Sequence, residues 1–313
     1  MTHRLALAAL VAISLLSACG DSTGPSGEPI TGPGDYTRTV RAGGRTRSYV
    51  VHVTPGWSTT RAAPLVVLFH GAGGDPAGMR RVTAFDATAD ARGWLAAYPE
   101  APTKDWNLGC GHCTAAEKAE VDDTAFVRVL IDDLVANAGA DPARVYATGL
   151  SQGGQMAHTA ACALPGRVAA FASVAATLLG QLSEACAPAR AVPAMLIHGT
   201  ADPAFPWLGG VTEEGLVYLG LEVSADFWAA RNGCDGAPVL TPLPDTADDG
   251  TQARRLDYPG CAPGEVVVYT LVGGGHTWPG ADPALFGPDL GPVSREIDAN
   301  TVMADFFARH AIP

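Results

Sequence analysis

The sequence predicts an α/β fold, with a mostly parallel central sheet and helices on both faces. Three observations predict it. Apolar runs of strand length, such as Pro64-Leu-Val-Val-Leu-Phe-His70, alternate with segments of helical period along the chain. These runs are nearly continuous rather than alternating, as strands covered on both faces are. The residues best suited to chemistry follow the ends of such runs, where parallel sheets place their ligands.

The elements follow in order. Tyr49-Val-Val-His-Val53 is an early strand after the Gly43-Gly44 turn, and 64–70 is the first buried one. Gly78 to Arg92 has the pattern of one helix. Trp94-Leu-Ala-Ala-Tyr98 is a short strand stopped by Pro99. Asp122 to Asn137 is an amphipathic helix: Phe126, Val127, Leu130, Ile131 and Leu134 recur at threes and fours, and Gly139 ends it. Arg144–Thr148 is the next strand, and Gln152–Ala163 a helix stopped before Pro165. Val168–Ala175 and Val192–His198 are further strands, and Ser224–Asn232 is a helix ending at Gly233. Glu265–Val272 is the last strand and Arg295–Arg309 the last helix.

Before this domain, which is expected to span residues 36–313, the chain reads differently. Leu5–Leu16 is an apolar stretch after Arg4, short for a membrane span and suited to a signal-peptide core over residues 1–18. It ends in Leu16-Ser-Ala-Cys19, which resembles a bacterial lipobox, so Cys19 is expected to carry a lipid anchor; the alternative is an ordinary signal peptide with a chance cysteine. Twelve of the sixteen residues from Gly20 to Asp35 are Gly, Pro, Ser or Thr, so 19–35 is expected to be a flexible tether. Membrane contact is expected only through that anchor, and the protein is expected to be exported to the envelope or beyond.

Net charge is −12 and no basic block occurs, which argues against a nucleic-acid partner. Of seven cysteines, setting Cys19 aside leaves an even number, as disulfides in an oxidising compartment require. Local spacing favours Cys110–Cys113, Cys162–Cys186 and Cys234–Cys261. The alternative for Cys110-Gly-His-Cys113 is a metal or redox site, but no second CxxC completes a zinc set, so no metal is expected.

The chemistry centres on Gly149-Leu-Ser-Gln-Gly153. Gly-x-Ser-x-Gly alone is a weak signal; between a strand and a helix it reads as a nucleophile elbow, with Ser151 projecting from a tight turn. The alternative is a Gly-rich turn that binds nothing covalently. A serine needs a base. His276, in Gly273-Gly-Gly-His-Thr-Trp-Pro-Gly280, follows the last strand and is the candidate; His198 reads as a supporting residue, and His158 and His52 as structural. The base needs an orienting carboxylate. Asp202, in His198-Gly-Thr-Ala-Asp202, is the candidate, with an Asx-turn cap before Pro203 as the alternative and Asp226 as a fallback. The order Ser151, Asp202, His276 is that of α/β-hydrolases. Oxyanion donors are expected from the backbone N–H of Gln152 and of Ala72, the latter in Phe69-His-Gly-Ala-Gly-Gly-Asp75, with Gly71 second. Trp106 and Trp278 are candidates for lining the acyl or alcohol pocket, packing being the alternative; His112 is a candidate for substrate contact.

Five stretches together resemble the bacterial polyhydroxybutyrate depolymerase and feruloyl esterase family of α/β-hydrolases. They are Leu68–Gly74, Val121-Asp-Asp-Thr-Ala-Phe126, Tyr146-Ala-Thr-Gly-Leu-Ser-Gln-Gly-Gly154, Leu196-Ile-His-Gly-Thr-Ala-Asp-Pro203 and Gly274-Gly-His-Thr-Trp-Pro-Gly280. The resemblance implies a serine triad of Ser151, Asp202 and His276, ester substrates and no cofactor. It also implies that Trp106-Asn-Leu-Gly-Cys-Gly-His-Cys113 is a Cys-containing loop beside the site. Two rival readings stand: a non-catalytic envelope protein that binds a ligand on the same fold, and a serine peptidase. Labelling by a fluorophosphonate separates the first, and an amide analogue the second.

Overall fold

The computed structural model describes residues 27–212, 215–261 and 264–313. The expected signal segment 1–18 and the lipidation candidate Cys19 lie outside the described residues.

The chain runs β1 (Gly34–Ala42), β2 (Arg45–Val53), β3 (Ala63–Phe69), α1 (Pro76–Thr83), α2 (Phe85–Arg92), β4 (Leu95–Pro99), α3 (Ala115–Lys118) and α4 (Asp123–Ala138). It continues through β5 (Ala140–Leu150), α5 (Gln152–Ala163), β6 (Ala170–Val174), α6 (Gly180–Ala185), β7 (Ala194–Gly199), β8 (Gly210–Val211) and β9 (Val217–Tyr218). It closes with α7 (Leu221–Arg231), β10 (Val239–Pro242), β11 (Gln252–Tyr258), β12 (Val266–Val272) and α8 (Ala299–Phe307).

Ten strands form one sheet in the order β1-β2-β4-β3-β5-β6-β7-β12-β11-β10. From β4 to β12 the neighbours run parallel. The edges, β1–β2 and β11–β10, are antiparallel. This is the architecture of the α/β-hydrolase fold. After β3 the chain crosses to β4 on one side, then returns to β5 on the other. The strand order therefore reverses at the β3–β5 boundary, where such sheets open a crevice at their C-terminal ends.

Apolar side chains of the parallel strands enter both faces. In β5, Val145 and Ala147 join the core under α4, α5 and α7, with Phe126, Met156 and Trp228. Tyr146 points to the opposite core, under α1, α2 and α8, where it stacks on Phe307 at 4.7 Å. That two-sided burial is why these strands are continuously apolar in sequence.

Three expectations are corrected, and three strands are added. The single helix over 78–92 is two helices broken at Ala84, whose φ of 46° is left-handed. The break lets Met79 and Phe85, on separate helices, enter the same core. The tether does not reach residue 35: Ile30 is buried, its N–H donates to Asn137 O at 2.7 Å, and β1 starts at Gly34. Strands β1, β10 and β11 carry no strong sequence signal, because β1 and β10 are the sheet's edges, β11 is next to an edge, and all three have many exposed positions. The last helix starts at Ala299, capped by Asp298, whose carboxylate accepts from Thr301 N at 2.7 Å.

Candidate active site

Ser151 stands between the last residue of β5 and the first of α5 with φ 60° and ψ −128°. A non-glycine residue in that region is strained by about 1–3 kcal/mol and is held only by its surroundings. Its N–H donates to Val174 O at the end of β6 at 2.9 Å. The flanking glycines are a steric requirement. A Cβ on Gly153 would stand 2.0 Å from Phe69 O, and one on Gly149 would stand 2.4 Å from the backbone of Gly153. The elbow is thus pressed against the end of β3. The loop that leaves β3 lies over it, since a Cβ on Gly71 would be 3.3 Å from Ser151 Cβ.

His276 and Asp202 are in contact. The ring Nδ1 and Asp202 Oδ2 are 2.8 Å apart, so His276 presents Nδ1–H to the carboxylate and leaves Nε2 on the opposite side of the ring. Asp202 Oδ1 accepts from Ala204 N and Phe205 N, each at 2.8 Å. One oxygen of Asp202 thus serves the turn and the other meets His276. Phe205 lies parallel to the imidazole, with centroids 5.4 Å apart and planes 6° from parallel. The loops meet because β7 and β12 are parallel neighbours ending together, and their approach leaves no room at Gly199, where a Cβ would be 2.2 Å from Gly274 O. Ser151 lies on the same rim, beyond β6.

The other histidines are engaged elsewhere. His198 donates from Nε2 to Phe205 O at 2.8 Å, has that nitrogen 3.6 Å from Asp202 Oδ2, and is held below its ordinary pKa by burial. His158 accepts from Trp228 Nε1 at 2.9 Å, and burial pushes it down to about 3. His52 bonds Asp35 and Asp90 on the surface of the first hairpin. The fallback carboxylate Asp226 sits on α7 and accepts from Tyr258 OH at 2.8 Å.

The loop after β3 is wired through its carbonyls. His70 Nε2 accepts from Ala101 N at 3.2 Å, so its Nδ1 carries the proton and donates to Gly71 O at 2.8 Å. Gly71 O also accepts from Gly74 N at 3.0 Å. Peptide N–H and C=O point opposite ways across a trans bond, so the Ala72 N–H points away from those partners. Gln152 opens α5, and its N–H is one of the first-turn donors that a helix leaves unbonded.

Neither tryptophan is exposed, and Trp278 borders a cavity of about 180 Å³ together with Thr83 and Asn300. Trp106 and Trp278 are fully buried. Trp106 Nε1 donates to His70 O at 2.8 Å, and Trp278 Nε1 donates to Asn300 Oδ1 at 3.1 Å. Each indole is packed with its one donor satisfied.

The cysteines pair as Cys110–Cys113, Cys162–Cys186 and Cys234–Cys261. Sequence reasoning missed Glu117, whose carboxylate accepts from Cys110 N at 2.6 Å and Cys113 N at 2.9 Å. Thr114-x-x-Glu117 is a capping-box pattern that could have flagged it. It also missed Asp123, which is buried, pairs with Arg47 at 2.6 Å and accepts from Asn107 N at 2.7 Å. The loop so held borders a cleft of about 440 Å³ lined by His112, Gln181 and Tyr218 among others. Tyr218 contacts Phe205, the residue stacked on His276.

Residues 47–205 match the family model described as esterase PHB depolymerase. The chain belongs to that family. It is 30% identical over 290 residues to a putative esterase, NocK, of Nocardia uniformis, covering 89% of this chain and 84% of that one. It is 29% identical to feruloyl esterase B of Piromyces equi, over 74% of this chain and 42% of that one. Among solved structures, the acetyl xylan esterase from Aspergillus awamori superimposes with a TM-score of 0.59 at 15% identity, over 78% of this chain and 94% of that one, a likeness of fold. As a member of this esterase family, the protein is a carboxylic ester hydrolase.

Proposed function

We propose that the protein cleaves carboxylic esters by an acyl-enzyme mechanism in which Ser151 is the nucleophile, His276 the base and Asp202 the orienting carboxylate. The observation that carries this reading is the 2.8 Å contact of His276 Nδ1 with Asp202 on the rim that also bears the strained Ser151. Ser151 Oγ attacks the ester carbonyl as His276 Nε2 takes its proton. Asp202 holds the tautomer and stabilises the imidazolium. The N–H groups of Gln152 and Ala72 bind the oxyanion. The alcohol leaves with the proton from His276, water attacks the acyl-enzyme with His276 again as base, and the acid departs.

Ser151→Ala tests it. Turnover of p-nitrophenyl acetate is expected to fall on the order of a million-fold, with loss of fluorophosphonate labelling. Retention of full esterase activity sinks the assignment. The natural ester is proposed to be of the hydroxybutyrate, feruloyl or acetyl-xylan type, in keeping with the names of the family and of its relatives. Hydroxybutyrate oligomers, methyl ferulate and acetyl-xylan, assayed side by side, rank these.

We also propose that the enzyme works outside the cytoplasm, anchored through lipid on Cys19. Three disulfides support an oxidising compartment. Cys19→Ala is expected to move the protein from the membrane to the soluble fraction; a soluble native protein rules the anchor out.

A further inference from the structure

We propose that Trp106 is the positioning residue that holds the two halves of the oxyanion hole at a common spacing. The inference rests on the serine-esterase reading above and assigns a role to a residue that touches no substrate. The two donors come from different strand ends. Ala72 follows β3, and Gln152 follows β5. Strand pairing alone stops at Phe69↔Gly149, so it does not set the distance between the donors beyond that point.

Trp106 reaches both sides. Its indole Nε1 donates to His70 O at 2.8 Å. That carbonyl belongs to the His70–Gly71 peptide, next to the one that presents the Ala72 N–H. Its backbone N–H donates to Gln152 Oε1 at 3.0 Å, and Gln152 Nε2 bonds Asp105 Oδ1 at 3.3 Å. The residue whose backbone N–H forms one half of the hole is therefore fastened by its own side chain to the residue whose indole fastens the other half.

Trp106 is itself immobilised. Its ring is fully buried, meets Phe69 edge-on at 5.3 Å and lies 4.8 Å from the His70 ring. The next residue, Asn107, bonds the buried Asp123 carboxylate through its N–H at 2.7 Å, and that carboxylate is paired with Arg47. Donors preset for a developing charge must not need to move when it forms. A buried aromatic with both of its N–H groups engaged is suited to preventing that movement.

The test is Trp106→Phe, which removes the indole N–H and keeps a ring in the cavity. Expected are a fall in kcat of roughly 10- to 100-fold, less than deletion of a donor produces, and a KM within about twofold. Affinity for a boronic-acid transition-state analogue should fall by the same factor as kcat/KM, while inhibition by the carboxylate product stays unchanged. A purely structural role would not separate those two ligands. Gln152→Ala, which removes the other contact, should give the same signature, and the double variant should lose less than the product of the two. If Trp106→Phe fails to fold, Gln152→Ala alone decides. Unchanged kcat, or equal weakening of both ligands, overturns the inference. Ser151→Ala in the native background fails separately, because it tests the nucleophile and not the spacing of the donors.

Discussion

Trp106 and Trp278 are alike in sequence setting and unlike in what they hold. Each follows a strand of the parallel sheet, lies in a loop beside the site, is fully buried, and has its indole N–H satisfied. Trp106 spends its donor on a backbone carbonyl of the loop that presents Ala72. Trp278, two residues after His276, gives its donor to Asn300 on α8, and Asn300 Nδ2 passes the link to Thr83 O at 2.7 Å. On the proposed mechanism, one indole fixes groups that face the reacting ester. The other bolts the base-bearing loop to the scaffold. Burial and hydrogen-bond satisfaction are thus the same for the residue proposed to tune chemistry and the one that supports the scaffold. The identity of the acceptor distinguishes them.

The contrast can be broken at several points. The largest effect is expected at the base end: Asp202→Asn should lower kcat by about 10⁴-fold, because an amide favours the wrong imidazole tautomer. A pH–rate profile on ester substrate checks it, and a loss under tenfold removes Asp202 from the mechanism. Next comes Trp106→Phe, with its drop of about 10- to 100-fold confined to the transition state. Trp278→Phe should behave oppositely. It leaves Asn300 Oδ1 without a donor and should lower stability by about 1–3 kcal/mol, read by urea titration, while kcat changes by less than about threefold. If Trp278→Phe matches Trp106→Phe in turnover, the distinction between the two loops collapses.

The smallest effect should appear far from both loops. Glu265 accepts from Arg309 Nη2 at 2.9 Å and lies 3.0 Å from His310 Nε2. Burial opposes its charged form, but those hydrogen bonds prevail and hold its pKa at about 2, below the ordinary 4.5. The folded state therefore binds fewer protons than the unfolded one across that interval. The contribution is present in full above about pH 4.5 and is lost as pH falls towards about 2. Glu265→Gln should flatten the acid limb of the Tm–pH curve in that window and leave kcat at neutral pH unchanged. A curve that keeps its native slope discards the assignment.

The central part of the chain was legible because local rules act there without competition. Gln152–Ala163 is helical over the very residues that periodicity and Pro165 defined, and the strand read at Arg144–Thr148 lies inside β5. The edges were not legible. β11 reads Gln-Ala-Arg-Arg-Leu-Asp-Tyr and is a strand because β12, buried and paired with β7 on one side, needs a hydrogen-bonding partner on the other. The break at Ala84 was missed for a similar reason. Nothing in the local pattern marks it, and it serves a core shared with α8. Asp123 and Glu117, in the first turns of α4 and α3, each turn inward to hold the loop from Trp106 to Cys113.

By itself, the sequence determined the class of fold, the position of the Ser151 elbow and the order of Ser151, Asp202 and His276. Those are matters of residue type and local spacing, which the chain carries in one dimension. The tertiary structure alone decided that Asp202 uses one oxygen for its turn and the other for His276. It alone decided that Trp106 faces inward between two loops rather than outward into a pocket. An aromatic residue is equally apolar in either place. Only the assembled neighbours, the His70 carbonyl and the Gln152 amide, determine where its two N–H groups are satisfied.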